Sequence, residues 1–358
     1  MSADRVAAQI KNGEIISIDE EIIPLFLQRT HDLESWLEER AIDPHRVNSR
    51  LLKKALRLRD ADDAKTALEV NAATITDNYW FKPSGSMLTY EDVRFKENYF
   101  DGLALRGDPN GFSQKPSRTP ELTNIGSYEK CWRLIEGKWW LYKRGSEEEY
   151  FSELFVYQLG KRLSFDMAYY EMDGGYIRSR DFTDGAAMNF ETADGIVGGD
   201  DDYEHCFQLL YSLSPKIAEQ YLRLIWMDTL CLNMDRHTKN FGILRDTETG
   251  KILRLAPNYD NNVALISRGY VKDISRQSDT LIRFFRELID NNETARQMLF
   301  GMEMPIVTEA MINDCLTAIP IAADTEYISA FILSGQKQLL PYLNHEINGQ
   351  LNNPGVSM

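Results

Sequence analysis

Apolar positions in this chain follow a helical rhythm in some stretches and a two-residue rhythm in others, and the sharpest change of rhythm lies near residue 232. Residues 221–232 are an apolar helical run, and Ser214-Pro215 ahead of it offers a capping hydroxyl and a proline at the first helical position. The run ends in a polar loop, 233–240, which holds Asp235, Arg236, His237, Lys239 and Asn240 within six positions. Two short apolar segments, 241–244 and 252–255, follow, joined by Asp246-Thr247-Glu248-Thr249-Gly250, a hairpin signal. Pro257 stops the second segment, and Asp260 lies just beyond it.

Upstream, residues 1 to about 105 read as mostly helical. Segments 34–40 and 50–56 have helical spacing, and Asp62 is placed to cap 64–70. Tyr79-Trp80-Phe81, Tyr90, Phe95, Tyr99 and Phe100 form an aromatic cluster suited to packing. Pro and Gly residues between 106 and 120 predict a linker, and a boundary is placed there. Strands are expected at 122–125, 131–135 and 138–143, the last two joined at Glu136-Gly137. An amphipathic helix is expected over 146–163, then strand and turn over 167–177. Ser179-Arg180-Asp181-Phe182 reads as a connection between lobes, and the acidic, Gly-rich 194–202 as a surface loop. From about 279 onward helices are expected, at 280–289, 305–319 and 324–343, with a frayed end at Pro354-Gly355. Together these elements predict an α+β, bilobal fold: a helical accessory section (1–115), a β-rich small lobe with one helix (116–180), and a helical large lobe carrying the polar loop and hairpin (181–358).

Composition adds a few constraints. With 358 residues, 43% hydrophobic, the chain can bury a sizeable core. A formal net charge of −15 argues against direct nucleic-acid binding, which needs a surplus of Lys and Arg. The four cysteines form no Cys-x-x-Cys pair, so buried thiols in a reducing cytoplasm are expected. No apolar run approaches membrane-spanning length, so no membrane is expected as a partner.

The polar loop carries the chemistry. Asp235 and Asn240 are five apart, the spacing of base and metal ligand in a kinase catalytic loop. A carboxylate can accept a hydroxyl proton, and Asn gives magnesium a neutral oxygen. Asp260, arriving after the hairpin, completes a hard oxygen shell for ATP-bound Mg²⁺. Lys239 can stabilise charge on a transferring phosphoryl group. His237, counted with the nucleotide-binding residues, is either a proton shuttle or a hydrogen-bonding spacer. Asp228, inside the apolar run, reads as a buried anchor for the loop. Lys143 ends a strand, and Glu149 and Glu153 share a face of the following helix, so a Lys–Glu pair holding phosphates is expected. Gly126 can lie over phosphates with exposed N–H groups, while Ser179 and Phe182 fall where adenine would be held.

Two motifs, Asp235-Arg236-His237-Thr238-Lys239-Asn240-Phe241-Gly242 and Leu255-Ala256-Pro257-Asn258-Tyr259-Asp260-Asn261, resemble the HipA-like serine/threonine kinases of bacteria. The order Asp-Arg-His-x-x-Asn is also similar to that of phosphatidylinositol 3- and 4-kinases. The resemblance implies a catalytic Asp235, magnesium on Asn240 and Asp260, a nucleotide-binding Lys143 paired with Glu153 (or, second, Glu149), and a phosphate loop at 126–130 with Ser127 as the autophosphorylation candidate. It implies a protein substrate and an antitoxin or regulatory partner. The helical 1–105 departs from the β-rich opening of the toxin members. A lipid kinase using Arg268, Lys272 and Arg276, a small-molecule phosphotransferase using the acidic segment near Asp200, and a catalytically silent nucleotide-binding module remain as alternative readings.

Overall fold

The computed structural model describes residues 1–58 and 62–343; the expected fraying at Pro354-Gly355 lies outside the described residues. In chain order the elements begin with strands β1 (Ala8–Lys11) and β2 (Glu14–Ile18) and six short helices: α1 (Leu25–Thr30), α2 (Leu33–Glu38), α3 (Ser49–Ala55), α4 (Asp63–Leu68), α5 (Tyr90–Val93) and α6 (Asp101–Arg106). Then come β3 (Lys130–Ile135), β4 (Lys138–Lys143), α7 (Glu147–Arg162), β5 (Tyr170–Asp173), β6 (Tyr176–Arg180), β7 (Met188–Thr192), α8 (Asp194–Val197), α9 (Tyr203–Leu213) and α10 (Pro215–Cys231). The last are β8 (Gly242–Asp246), β9 (Ile252–Leu255), α11 (Thr280–Asn291), α12 (Glu293–Gly301), α13 (Glu309–Thr317) and α14 (Thr325–Leu339). The fold is mixed α/β.

The chain forms two compact units, each assembled from separated segments. One comprises Met1–Gly145, Ala168–Ile196 and Gly242–Ala256; the other comprises Ser146–Met167, Val197–Phe241 and Pro257–Met358. These units do not follow the contiguous spans 1–115, 116–180 and 181–358. Helix α7 clusters with the second unit and the β8–β9 hairpin with the first. No break between units falls near 115, and the reason is burial. Arg46 and Glu121 form an ion pair with side chains fully removed from solvent. The Arg46 guanidinium also donates to the carbonyl of Lys130. Glu121 accepts from Trp132 N (2.7 Å), Asn98 Nδ2 (2.8 Å) and Asn124 Nδ2 (3.0 Å). Burial raises the Glu121 carboxyl above its usual range, and the Arg46 charge opposes that rise. One apolar cluster runs through Trp80, Phe100, Leu103, Trp132 and Tyr142, joining the opening section to the first sheet.

The opening section, expected to be mostly helical, holds six short helices and also one antiparallel hairpin, β1–β2. Asn12-Gly13, both at positive φ (55° and 85°), supply its turn; Asn-Gly between alternating residues is the hairpin signal that the helical reading passed over. Residues 122–125 are not a strand. Thr119 and Pro120 start a 3₁₀ turn, Pro120–Thr123, fixed by the buried Glu121. Strand β7 was not anticipated, because its alternation runs backwards. Asn189 and Glu191 face inward while Met188 and Phe190 are half-exposed. The buried polar groups are satisfied: Asn189 accepts from Asn78 N (2.8 Å), and Glu191 from Tyr79 Oη (2.8 Å), Arg245 Nη1 (2.6 Å) and Leu25 N (2.6 Å).

The first unit holds two larger sheets. The four-stranded one has order β3-β4-β6-β5, and the three-stranded one β7-β8-β9; all pairings are antiparallel. In the second unit, α10 is the central element. Every residue from 224 to 231 is buried, and α9, α11, α12 and α14 pack against it. Helix α7 begins with a capping box, Ser146 with Glu149, and packs on α13. It is buried almost all round from Tyr150 to Gly160, not along one stripe. Among the described residues no helix is long and apolar enough to cross a membrane, and all four cysteines are free and buried.

Glu121→Ala leaves the buried Arg46 charge without its counter-ion. The expected loss is about 3–5 kcal/mol of unfolding free energy in a denaturant titration; a loss below about 1 kcal/mol would remove this pair as the anchor of residues 1–120.

Candidate active site

Helix α10 supplies the base of the site. Its apolar run ends at Leu232, a left-handed residue (φ 54°, ψ 50°), a conformation costing roughly 1–2 kcal/mol for a non-glycine. Asn233 N turns back to the Asp228 carbonyl (2.8 Å). The carboxylate of Asp228, buried inside the helix, accepts from Asn233 Nδ2 (3.1 Å), Arg236 Nε (2.8 Å) and Arg236 Nη2 (3.0 Å). This bidentate pair has side chains 1% and 0% exposed. Burial disfavours the Arg236 charge, but Asp228 outweighs it and holds the guanidinium above its ordinary pKa.

Arg236 then reaches both strands of loop. Nη1 donates to the carbonyls of Asn240 (2.5 Å) and Tyr259 (2.7 Å), and Nη2 to Asn258 Oδ1 and Asn261 Oδ1 (2.8 Å each). One side chain therefore fixes the end of the polar loop and both neighbours of Asp260. Glu153, fully buried on α7, accepts from Asn261 N (2.8 Å) and Nδ2 (3.3 Å). Glu149 instead caps its own helix, with Ser146 N donating to it (2.8 Å).

Within the loop, His237 N donates to the Asp235 carbonyl (3.0 Å) and Asn240 N to the His237 carbonyl (2.8 Å). His237 Nδ1 accepts from Lys239 N (3.2 Å), the contact of a spacer. Asn240 Nδ2 donates to the Asp235 carbonyl (2.8 Å) and carboxylate (3.3 Å). The amide is thereby oriented, leaving its Oδ1 as the atom that can take a cation. Asp235 and Asn240 are half-buried and Lys239 is exposed. Asp260 is held at φ 59°, another strained position of the kind that gathers at functional sites. Among the described residues no three His, Cys, Asp or Glu side chains converge. A cation here would meet one neutral amide, few carboxylates and its own waters, as magnesium does.

The remaining expected residues lie in the first unit. The register pairs Lys143 with Lys130 and Ile177, and Leu141 with Ser179. Lys130, Lys143 and Ser179 thus share one face of the sheet, and all three are buried. Two lysines directly opposite each other repel. Gly126 has φ 107°; any Cβ there would collide with Lys130 Nζ, so the loop backbone lies close over that ammonium. Ser127 is exposed. Ser179 belongs to β6 and not to a connecting loop, and Phe182 follows that strand and meets Phe190 edge to face (5.4 Å).

Sequence reasoning placed Asn258 and Asn261 in a motif and Lys130 at the end of the phosphate loop, but gave none of them, nor Asp201, a role of its own. Lys130 had a signal: it lies four residues after the glycine, opposite Lys143 in the expected hairpin. Asp201 had none, since its contact with Thr238 N (2.7 Å) spans 37 residues.

Fold and loop define a mixed α/β protein with an oriented Asp–Asn pair, an arginine-braced acidic turn and a lysine-bearing sheet face. The family model described as the HipA-like C-terminal domain matches residues 135–311, and that stretch is HipA-like. No curated protein matches the sequence. Among solved structures, it is similar to a Helicobacter pylori proinflammatory kinase, CtkA (15% identity, TM-score 0.49, 62% of this chain and 94% of that one). It is also similar to a structure of the Shewanella oneidensis MR-1 toxin–antitoxin system HipA, HipB and its operator DNA complex (15% identity, TM-score 0.49, 87% of this chain and 85% of that one).

Asp228→Ala strands a buried guanidinium and unties both loops. Stability is expected to fall by about 3–5 kcal/mol in chemical denaturation; a change under about 1 kcal/mol would mean that the loops are held by other contacts.

Proposed function

We propose that this protein is an ATP- and Mg²⁺-dependent kinase that phosphorylates a Ser or Thr hydroxyl on a protein, with a bilobal kinase-like arrangement. The observation that carries the reading is the Asp235–Asn240 contact, braced by Arg236 against the same turn that presents Asp260. Asp235 would accept the hydroxyl proton as the acceptor oxygen bonds to the γ-phosphorus and the β–γ bridging bond breaks, releasing ADP. Asn240 Oδ1 and the Asp260 carboxylate would hold magnesium, which when bound supplies charge neutralisation at the phosphate oxygens. Lys143 and Lys130 would bind phosphates from the sheet face, under the Gly126 loop. Lys239 would meet the transferring group, and His237 keeps the loop in shape. Adenine would lie near Ser179 and Phe182. Ser127, being exposed, can serve as a self-acceptor.

A protein acceptor is favoured over the rivals by two observations. Of the three cations that a lipid headgroup would need, Arg276 is buried and spent on the carbonyls of Thr229 and Leu230. Of the acidic segment that would receive a cationic small molecule, Asp201 holds Thr238 and Asp202 caps α9. An antitoxin or regulatory protein as partner follows from the sequence resemblance, and a cytoplasmic location from the unpaired cysteines; both belong to the same proposal.

Incubation with γ-labelled ATP, magnesium and a host lysate tests the reading. Wild type should label itself or a protein band. Asp235→Ala and Asp260→Ala should each lower labelling by about 10²–10⁴-fold with unchanged circular dichroism, and chelating magnesium should do the same. Absence of autophosphorylation, ATP hydrolysis and Mg-ATP binding in the wild type would sink the enzyme reading and leave the silent module; label in lipid or in small molecules would redirect it.

A further inference from the structure

The first unit contains a cavity of about 250 Å³ that the phosphoryl-transfer reading does not use. It opens where the Glu136-Gly137 turn of β3–β4, the segment after β6 and residues 90–96 meet. Its apolar lining includes Ile75, Phe95 and Trp139, each at least nine-tenths buried, with Tyr90 and Leu134 beside them. Four cations also line it: Arg94, Lys96, Lys138 and Arg180.

The carboxylates nearby do not balance that charge. Asp181 lines the cavity, but both its oxygens serve its own turn, accepting from Thr183 N (2.9 Å), Thr183 Oγ1 (2.7 Å) and Gly185 N (2.6 Å). Asp184 is exposed. Glu91, outside the lining, is shared between Arg94 (2.5 Å) and Lys96 (2.8 Å). Among the described residues Lys138 and Arg180 make no ion pair. A chain of net charge −15 thus keeps a local surplus of cations around an aromatic pocket, and a partly enclosed pocket focuses that field on a counter-ion.

We propose that this cavity binds a small organic anion: a carboxylate or phosphate monoester on a flat apolar body. The body would lie against Trp139 and Phe95, and the anionic end would meet Arg180 and Lys138. A volume near 250 Å³ suits a single-ring ligand and is small for a nucleoside triphosphate. Because Asp181 N donates to the Trp139 carbonyl (3.0 Å), an occupant would also stiffen the segment from Arg180 to Gly185. Ser179 and Phe182, proposed to face adenine, flank or lie within that segment, so ligand binding would be felt there.

Calorimetric titration of the full chain with phenyl phosphate, benzoate and inorganic phosphate tests this. One saturable site per chain is expected for phenyl phosphate or benzoate, the tighter of the two naming the anionic group. Inorganic phosphate should bind at least about tenfold more weakly, because it leaves the aromatic floor uncovered. Lys138→Glu and Arg180→Glu, both at exposed positions, should fold normally by circular dichroism and weaken the site at least about tenfold. Lys143→Ala should leave it unchanged, which separates this cavity from the proposed nucleotide site. No saturable binding at about millimolar ligand, binding that survives both charge reversals, or binding lost in Lys143→Ala would overturn the assignment.

Discussion

The buried pair between Arg236 and Asp228 is the contact on which the second unit's loops depend. An ion pair taken wholly out of water is a doubtful source of stability, because desolvation offsets most of its attraction. Its value lies in geometry. The carboxylate is fixed by the most buried helix of that unit, and it aligns the guanidinium as a planar fork. The remaining N–H groups of the fork donate to carbonyls and amide oxygens at Asn240, Asn258, Tyr259 and Asn261. Lys could not replace it, since a point charge cannot address acceptors on two loops at once.

The first unit applies the same principle with different residues. Arg46–Glu121 and Arg245–Glu191 are both buried, and both join segments far apart in sequence. Arg245 also donates to the carbonyls of Ile23 (2.9 Å) and Glu21 (2.6 Å), tying the opening section to strand β8. Buried polar networks of this kind demand complete satisfaction, so they select one register and one packing. That explains why residues 1–145 cluster as one unit despite a Pro- and Gly-rich stretch in their middle.

The polar loop was legible from sequence because its chemistry is local. Asp235, His237 and Asn240 lie within six positions, and their mutual bonds need no distant partner. The β3–β4 hairpin and the start of α10 were legible for the same reason: Glu136-Gly137 and Pro215 act on adjacent backbone, although Ser214 at the N-cap makes no side-chain capping bond. Two misreadings fell where a polar residue is buried. Glu191 and Asn189 invert the expected pattern of β7, and Glu121 turns an expected strand into a 3₁₀ turn. Period-based reading assumes that polar positions face water, and these residues break that assumption by finding partners elsewhere in the chain.

The sequence by itself determined the residue types and spacings of the loop, the left-handed Asn12-Gly13 turn, and the apolar run that becomes α10, since each follows from neighbouring side chains and backbone preference. Tertiary structure alone decided that Arg236 would brace two loops, that Lys130 would stand opposite Lys143 beneath Gly126, and that Glu153 would reach Asn261 while Glu149 capped its own helix. These outcomes depend on which buried polar group finds which partner, and a partner 25 or 108 residues away leaves no periodic trace in the chain.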